Sequence, residues 1–178
     1  MVFGPLMDAL KAQREGKDVV HVILEGNRLV STRLSHTAKL IFWLTNVPYF
    51  LLSAELATID SSALVASAAV PKLHALAILG VAVVSTAYHG AQVYGDAHNP
   101  WSARLLAVDI FAANGYAMVL AYFVGILRML QLFLIPLLFL ATGARLKRRA
   151  MPYGFAWGHG IWHVLTAAAM RQALLRRS

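Results

Sequence analysis

The sequence predicts an all-α protein, a polytopic transmembrane helix bundle of about five spans with a short N-terminal extramembrane segment. Of its 178 residues, 59% are hydrophobic and only 13% are charged, whereas a soluble domain carries roughly 25% charged residues. From Leu105 to Ala144 the chain is almost wholly apolar, and a helix needs about 20 apolar residues to cross a bilayer. We therefore divide the chain into a juxtamembrane segment, residues 1–36, and a transmembrane helical domain, residues 37–178.

The juxtamembrane segment has no continuous apolar core. Leu6–Arg14 has the pattern of a short amphipathic helix at the membrane surface. The β-branched run Val19–Leu24 is followed by Glu25-Gly26-Asn27 and by a second run, Arg28–Ser31, which predicts a small hairpin. His21 and His36 are expected to be ordinary surface histidines.

Five apolar stretches follow, and each is long enough or nearly long enough to span a bilayer. The first is short, and it is a weaker candidate for a transmembrane helix because it contains Asn46, Pro48 and Glu55. The third and fourth form one apolar run, which requires a tight turn near Gly125–Arg128. Tyr94–Pro100 reads as a loop, since it contains Gly and Asn-Pro, and Arg145–Arg149 reads as a basic loop. The stretches are Leu40–Leu56, Leu73–Val93, Leu105 to about Gly125, Met129 to Ala141 or beyond, and Tyr153–Leu175.

Charge is distributed unevenly along the chain. All eight acidic residues lie at or before Asp109, and every formal charge after residue 110 is basic. Basic residues that flank apolar spans indicate interfacial anchors, and their distribution places the N-terminal segment and the 94–104 and 145–149 loops on the cytosolic, matrix or stromal side of an intracellular or organelle membrane. They form no stripe with interleaved aromatics, so nucleic acid is not an expected partner. The absence of cysteine excludes thiolate zinc sites, iron–sulfur clusters and a cysteine nucleophile.

Five polar residues inside the spans are predicted to lie at one depth. His159 and His163 are four residues apart and share a helical face. In a five-span topology the end of the second span, with Ser85 and His89, meets the start of the third, with Asp109, and the start of the fifth. His74 lies at the opposite end of the second span and is excluded from this group.

Three histidines with a fourth position open are the ligand set of a catalytic zinc site. His89, His159 and His163 are therefore the candidate metal ligands, and Asp109 and Ser85 the candidate catalytic residues. Asp109 would act as a general base, and Ser85 would bond a ligand or a developing oxyanion. Such a site inside a bilayer would act on a lipid amide or ester. The alternatives are interhelical hydrogen bonds for the histidines and for Asp109, and helix packing for Ser85. The metalloprotease HExxH motif is absent, because Gly160 follows His159.

At these residues the chain resembles the CREST superfamily of membrane hydrolases, which includes alkaline ceramidases, progestin and adiponectin receptors, haemolysin III-like proteins and lipases that remodel GPI anchors. The resemblance is carried by Ser85 and His89 in STAYH, Asp109 in LLAVDIF, and His159 and His163 in HGIWH. It implies zinc held by the three histidines, with Ser85 and Asp109 supporting the water. The family has seven spans, and this chain has two fewer between the third and the last.

Two other functions fit the sequence. The shortened helix count and the basic helix ends suit a non-catalytic descendant that serves as a structural subunit of a larger membrane complex. A bis-histidine haem or chlorophyll protein would use His89 with His159 or His163 as axial ligands. Asp109 favours zinc over haem, because an anion beside an activated water can act on that water, whereas an anion beside a porphyrin face has no evident role. Membrane lipids are the partners expected for the hydrolase.

Overall fold

The computed structural model describes residues 13–16, 18–59, 71–95 and 99–175, and the regular secondary structure of these residues is entirely α-helical. The all-α prediction is confirmed. The helices are α1 (Val19–Arg33), α2 (His36–Leu44), α3 (Val47–Thr58), α4 (Pro71–Tyr94), α5 (Trp101–Val124), α6 (Ile126–Arg148) and α7 (Pro152–Leu175). Four segments are long and apolar enough to cross a membrane, namely His36–Thr58, Lys72–Tyr94, Trp101–Val124 and Ile126–Arg148. The fifth predicted stretch is helix α7, which is 24 residues long and largely buried against the other helices.

Helix α1 replaces the hairpin predicted for residues 19–31, and that prediction is wrong. The Asp18 side chain caps the helix by accepting the Val20 N–H at 2.9 Å, as a good N-cap residue does. Asn27, Val30 and Leu34 are buried, and this spacing follows the period of a helix. β-branched residues favour strands only where a sheet offers packing, whereas α1 packs against α4, α5 and α7. Most of the predicted amphipathic helix, Leu6–Arg14, lies outside the described residues.

The first predicted span is divided into α2 and α3 at Thr45 and Asn46. The Thr45 hydroxyl donates to the Phe42 carbonyl at 2.6 Å, and the Asn46 amide donates to the Trp43 carbonyl at 3.2 Å. These bonds satisfy carbonyls at the end of α2. Pro48 follows in the first turn of α3, where its missing N–H costs no helical hydrogen bond. The break places Thr45 at the level of the histidines of α7.

The predicted turn between the third and fourth spans is confirmed and consists of Gly125, which has a φ of 88°. Glycine adopts positive φ without steric cost. The predicted basic loop Arg145–Arg149 is wrong, because α6 continues through Arg148. Basic side chains at a helix C-terminus complement the helix dipole, so these residues favour extension of the helix. The connection to α7 is a turn at residues 149–151.

Helices α6 and α7 are in close contact at Gly143 of α6 and Gly158 in the N-terminal part of α7. A Cβ added to Gly158 would lie 3.1 Å from the Gly143 Cα, so the two backbones meet where each helix has a glycine. Small residues permit such contacts between membrane helices. The largest apolar cluster joins α3, α4, α5 and α7 through Leu56, Ile78, Leu120 and Leu174. A second apolar cluster, which includes Phe42, Val93 and Phe155, packs the end of α4 beside the start of α7.

Candidate metal centre

Three histidines from two helices form a compact buried cluster. One ring nitrogen from each of His89, His159 and His163 lies within 4.8 Å of the others. The Nε2 atoms of His89 and His159 are 3.3 Å apart. Two nitrogens bound tetrahedrally to zinc at about 2.0–2.1 Å would themselves be about 3.3 Å apart. The donor set and this separation fit a tetrahedral metal ion.

Aromatic rings enclose the cluster. The Phe42 ring lies 4.8 Å from the His89 ring, and the Phe155 and Trp162 rings lie 5.2 and 4.7 Å from the His159 ring. His89 and His163 are each only 1% exposed. A site so poor in water favours neutral imidazoles, and neutral imidazole is the form that binds metal.

Thr45 fixes the ring orientation of His163. The single hydroxyl proton of Thr45 goes to the Phe42 carbonyl, so Thr45 Oγ1 can only accept at its 3.1 Å contact with His163 Nδ1. Nδ1 therefore carries the proton and Nε2 keeps a lone pair. Metal-bound histidines are commonly held in this way, by an acceptor on the second ring nitrogen.

The two glycines that flank His159 have different structural roles. Gly158 faces Gly143 and allows α6 and α7 to pack. Gly160 faces Thr45, and a Cβ at this position would lie 2.8 Å from Thr45 Cγ2. The missing side chain of Gly160 therefore leaves the space that Thr45 needs to reach His163.

His89 has a polar partner that the sequence analysis missed. Its Nδ1 lies 3.0 Å from Gln92 Oε1, and Gln92 Nε2 donates to Asn27 Oδ1 at 3.2 Å. Gln92 and Asn27 are 1% and 2% exposed. The three-residue step from His89 to Gln92 is the signal that could have identified Gln92, because such residues are neighbours on a helix. The sequence analysis missed Asn27 because it placed this residue in the turn of the incorrectly predicted hairpin.

Ser85, Asp109 and His163 line the same cavity, which has a volume of about 350 Å³. The Ser85 side chain interacts with the Asp109 carboxyl, and Tyr49 lies nearby with its ring 5.8 Å from that of His163. Most of the remaining lining is apolar and includes Val81, Leu137, Leu140, Phe133 and Met170. The structure thus brings both candidate catalytic residues to the cavity that one candidate ligand lines.

The cavity reaches the outer surface of the bundle between α5 and α6. Its lining includes Met118, Ile126 and Leu130, whose exposed fractions are 74%, 58% and 44%. All three are apolar, so the opening is suited to contact with hydrocarbon.

The other described histidines lie apart from the cluster. His74 Nδ1 is 3.1 Å from the Tyr116 hydroxyl, at the opposite end of α4 from His89. His21 and His36 are exposed, as expected.

We compared the chain with protein-family models, curated proteins and solved structures, and none of the three comparisons found a match.

Proposed function

We propose that this protein is a zinc-dependent membrane hydrolase that cleaves a lipid amide or ester. The observation that carries the proposal is the buried triad of His89, His159 and His163, whose third member lines an apolar cavity together with Ser85 and Asp109. The resemblance to the CREST superfamily rests on these same five residues and supports the same reaction class.

Zinc is the metal proposed, because three imidazoles suit it and leave a fourth position open. When bound, zinc would polarise the scissile carbonyl and lower the pKa of a water molecule. His89 and His163 are oriented to bind zinc through Nε2, because Nδ1 of each ring contacts a hydrogen-bond partner.

Asp109 carries out the proton transfers in the proposed reaction, and Ser85 assists it. The oxygen of water bonds to the acyl carbon as the carbon–nitrogen or carbon–oxygen bond to the leaving group breaks. Asp109 accepts the proton that water loses and returns it to the departing amine or alkoxide. Ser85 interacts with Asp109 and orients its carboxylate. Once Asp109 has accepted the proton from water, the Ser85 hydroxyl is free to donate to the oxygen on which negative charge develops.

The proposed substrate class follows from the cavity and its opening. Apolar side chains line most of the cavity, and the exposed side chains Met118, Ile126 and Leu130 border it toward lipid. A volume of about 350 Å³ is at the low end for ligand pockets, which span about 300–1,000 Å³. One acyl chain therefore suits this space, with the polar part of the lipid outside it.

The contact between the histidine rings disfavours the haem alternative. A porphyrin must lie between its two axial ligands, yet the Nε2 atoms of His89 and His159 are 3.3 Å apart. The His89 and His163 rings are likewise in contact, with centroids 5.0 Å apart. A macrocycle would have to separate helices whose rings now touch.

The decisive experiment measures metal content and lipid hydrolysis on the same purified protein. We expect one zinc per chain and release of fatty acid from vesicles or micelles that contain N-acyl and O-acyl lipids. His163→Ala should lose both zinc and hydrolysis, whereas Asp109→Asn should keep zinc and lose hydrolysis. Zinc without hydrolysis of either lipid class would favour a non-catalytic subunit, and a protein that takes up no zinc would refute the proposal.

A further inference from the structure

A chain of hydrogen bonds, all of them buried except the partly buried first one, runs from a backbone carbonyl to His89. Ser102 Oγ donates to the Asn99 carbonyl at 3.0 Å, and Asn27 Nδ2 donates to Ser102 Oγ at 3.4 Å. Gln92 Nε2 and the Tyr88 hydroxyl both donate to Asn27 Oδ1, at 3.2 and 3.4 Å. The chain ends at the 3.0 Å contact between Gln92 Oε1 and His89 Nδ1.

The direction of every bond in this chain follows from the first one. A backbone carbonyl can only accept, so the proton of Ser102 is committed to Asn99 and its lone pairs face Asn27. The Asn27 amide therefore turns Nδ2 to Ser102 and Oδ1 to Gln92. Gln92 in turn must donate through Nε2 and present Oε1 to His89.

An amide oxygen only accepts, so His89 Nδ1 must carry the proton. The lone pair is then on Nε2, which is the nitrogen that faces His159 at 3.3 Å. Burial strengthens this assignment, because Asn27, Gln92, Ser102 and His89 are each no more than 3% exposed. Water cannot readily replace a partner, and a misdirected amide would leave buried polar atoms without hydrogen bonds.

We propose that Gln92 and Asn27 are positioning residues of the metal centre, and that they hold His89 in the tautomer that offers Nε2 to the metal. This inference rests on the proposed metal site. It makes α1, the helix outside the predicted spans, a structural part of that site, because Asn27 lies on α1 and joins Ser102 to Gln92 in the hydrogen-bond chain that ends at His89.

The test uses two substitutions of Gln92 in the full-length protein. Gln92→Met keeps the approximate volume but removes the acceptor for Nδ1–H. Loss of such a partner typically lowers metal affinity by about 10–100-fold, and we expect zinc affinity, measured by chelator competition, to fall in that range. Gln92→Glu retains an acceptor oxygen for His89 Nδ1–H, and a neutral carboxyl at this buried position can donate its O–H to Asn27 Oδ1 in place of the amide N–H, so this variant should stay within about threefold of wild type.

A spectroscopic measurement distinguishes a specific effect on the His89 tautomer from a general disturbance of the fold. Nitrogen NMR of protein labelled at the histidine ring, with the His89 signal assigned by its loss in His89→Gln, reports which nitrogen carries the proton. Wild type and Gln92→Glu should show His89 protonated at Nδ1, whereas Gln92→Met and Asn27→Leu should show a mixture. Ser53→Ala is the matched control, since it removes the buried hydrogen bond from Ser53 to the Ala75 carbonyl outside this chain and should leave both readouts unchanged.

Each outcome of these measurements either supports or overturns the inference. Unchanged zinc affinity and an unchanged tautomer in Gln92→Met would overturn it and leave the proposed function intact. Equal losses in Gln92→Met, Gln92→Glu and Ser53→Ala would indicate loss of packing and would also overturn it. If wild type binds no zinc, the proposed function fails, and the tautomer in the metal-free proteins still decides whether Gln92 and Asn27 orient His89.

Discussion

Gly160→Ala should weaken metal binding although alanine is chemically inert and a better helix former than glycine. The added Cβ would lie 2.8 Å from Thr45 Cγ2, which is closer than carbon atoms approach without repulsion. Thr45 is β-branched, and its rotamer is restricted by this branching and by its bond to the Phe42 carbonyl. The methyl group therefore cannot turn aside without moving Thr45 Oγ1.

The size of the effect follows from the bond that is lost. Thr45 Oγ1 and His163 Nδ1 are 3.1 Å apart, and a shift of about 0.5 Å takes this contact beyond hydrogen-bond range. Loss of the partner on the second ring nitrogen lowers metal affinity by about 10–100-fold, or about 1.4–2.8 kcal/mol. Overpacking should also lower the free energy of unfolding by about 1–3 kcal/mol.

The assay is zinc competition against a chelator, on protein shown to be folded by its helical circular dichroism. Thr45→Ser in the Gly160→Ala background removes Cγ2 and retains Oγ1, so the double variant should recover most of the affinity. Gly80→Ala is the matched control, because a Cβ there meets nothing within 4 Å. Wild-type affinity in Gly160→Ala, or failure of Thr45→Ser to rescue it, would show that Thr45 does not orient His163.

Three further predictions concern the helix contacts and the cavity. Gly158→Ala should lower the free energy of unfolding in denaturing detergent by about 1–3 kcal/mol, because its Cβ would meet backbone atoms of Gly143 at 3.1 and 3.2 Å. An unchanged unfolding midpoint would contradict the close approach of α6 and α7. Gly125→Ala should lower the free energy of unfolding by about 1–3 kcal/mol in the same assay, since Gly125 has a φ of 88° and a ψ of 138°. Gly115→Ala should cost nothing, because a Cβ there meets nothing within 4 Å. Ala117→Phe should reduce lipid hydrolysis while zinc content stays at one per chain, because Ala117 lines the cavity and lies outside the histidine cluster; full hydrolysis would place the substrate elsewhere.

The features that the sequence predicted correctly depend on local pattern. Apolar length identified the four long helices α4 to α7, and an uninterrupted 40-residue run required a break where Gly125 provides one. Helical spacing placed His159 and His163 on one face, and counting spans brought His89 to the same end of the bundle. These inferences need only the period of a helix and the thickness of a bilayer.

The features that were missed depend on which side chains meet across helices. Residues 19–31 have strand-like composition, but burial of Asn27 and Val30 against other helices determines their conformation. The roles of Thr45 and Gln92 could not be derived from spacing alone, because each depends on the direction of a single hydrogen bond. Arg145–Arg149 was assigned to a loop for its charge, although basic residues are also well suited to the last turn of a helix.

The one-residue connection at Gly125 has a consequence for how a lipid would enter the protein. Helix α5 packs mainly on α4, and α6 packs mainly on α7, while α5 and α6 touch each other less than any other consecutive pair of long helices. The border of the cavity, at Met118, Ile126 and Leu130, lies between these two sparsely joined helices. Widening this gap would therefore disrupt little of the packing that holds the three histidines together, so entry of the proposed lipid substrate would be compatible with preservation of the proposed metal site.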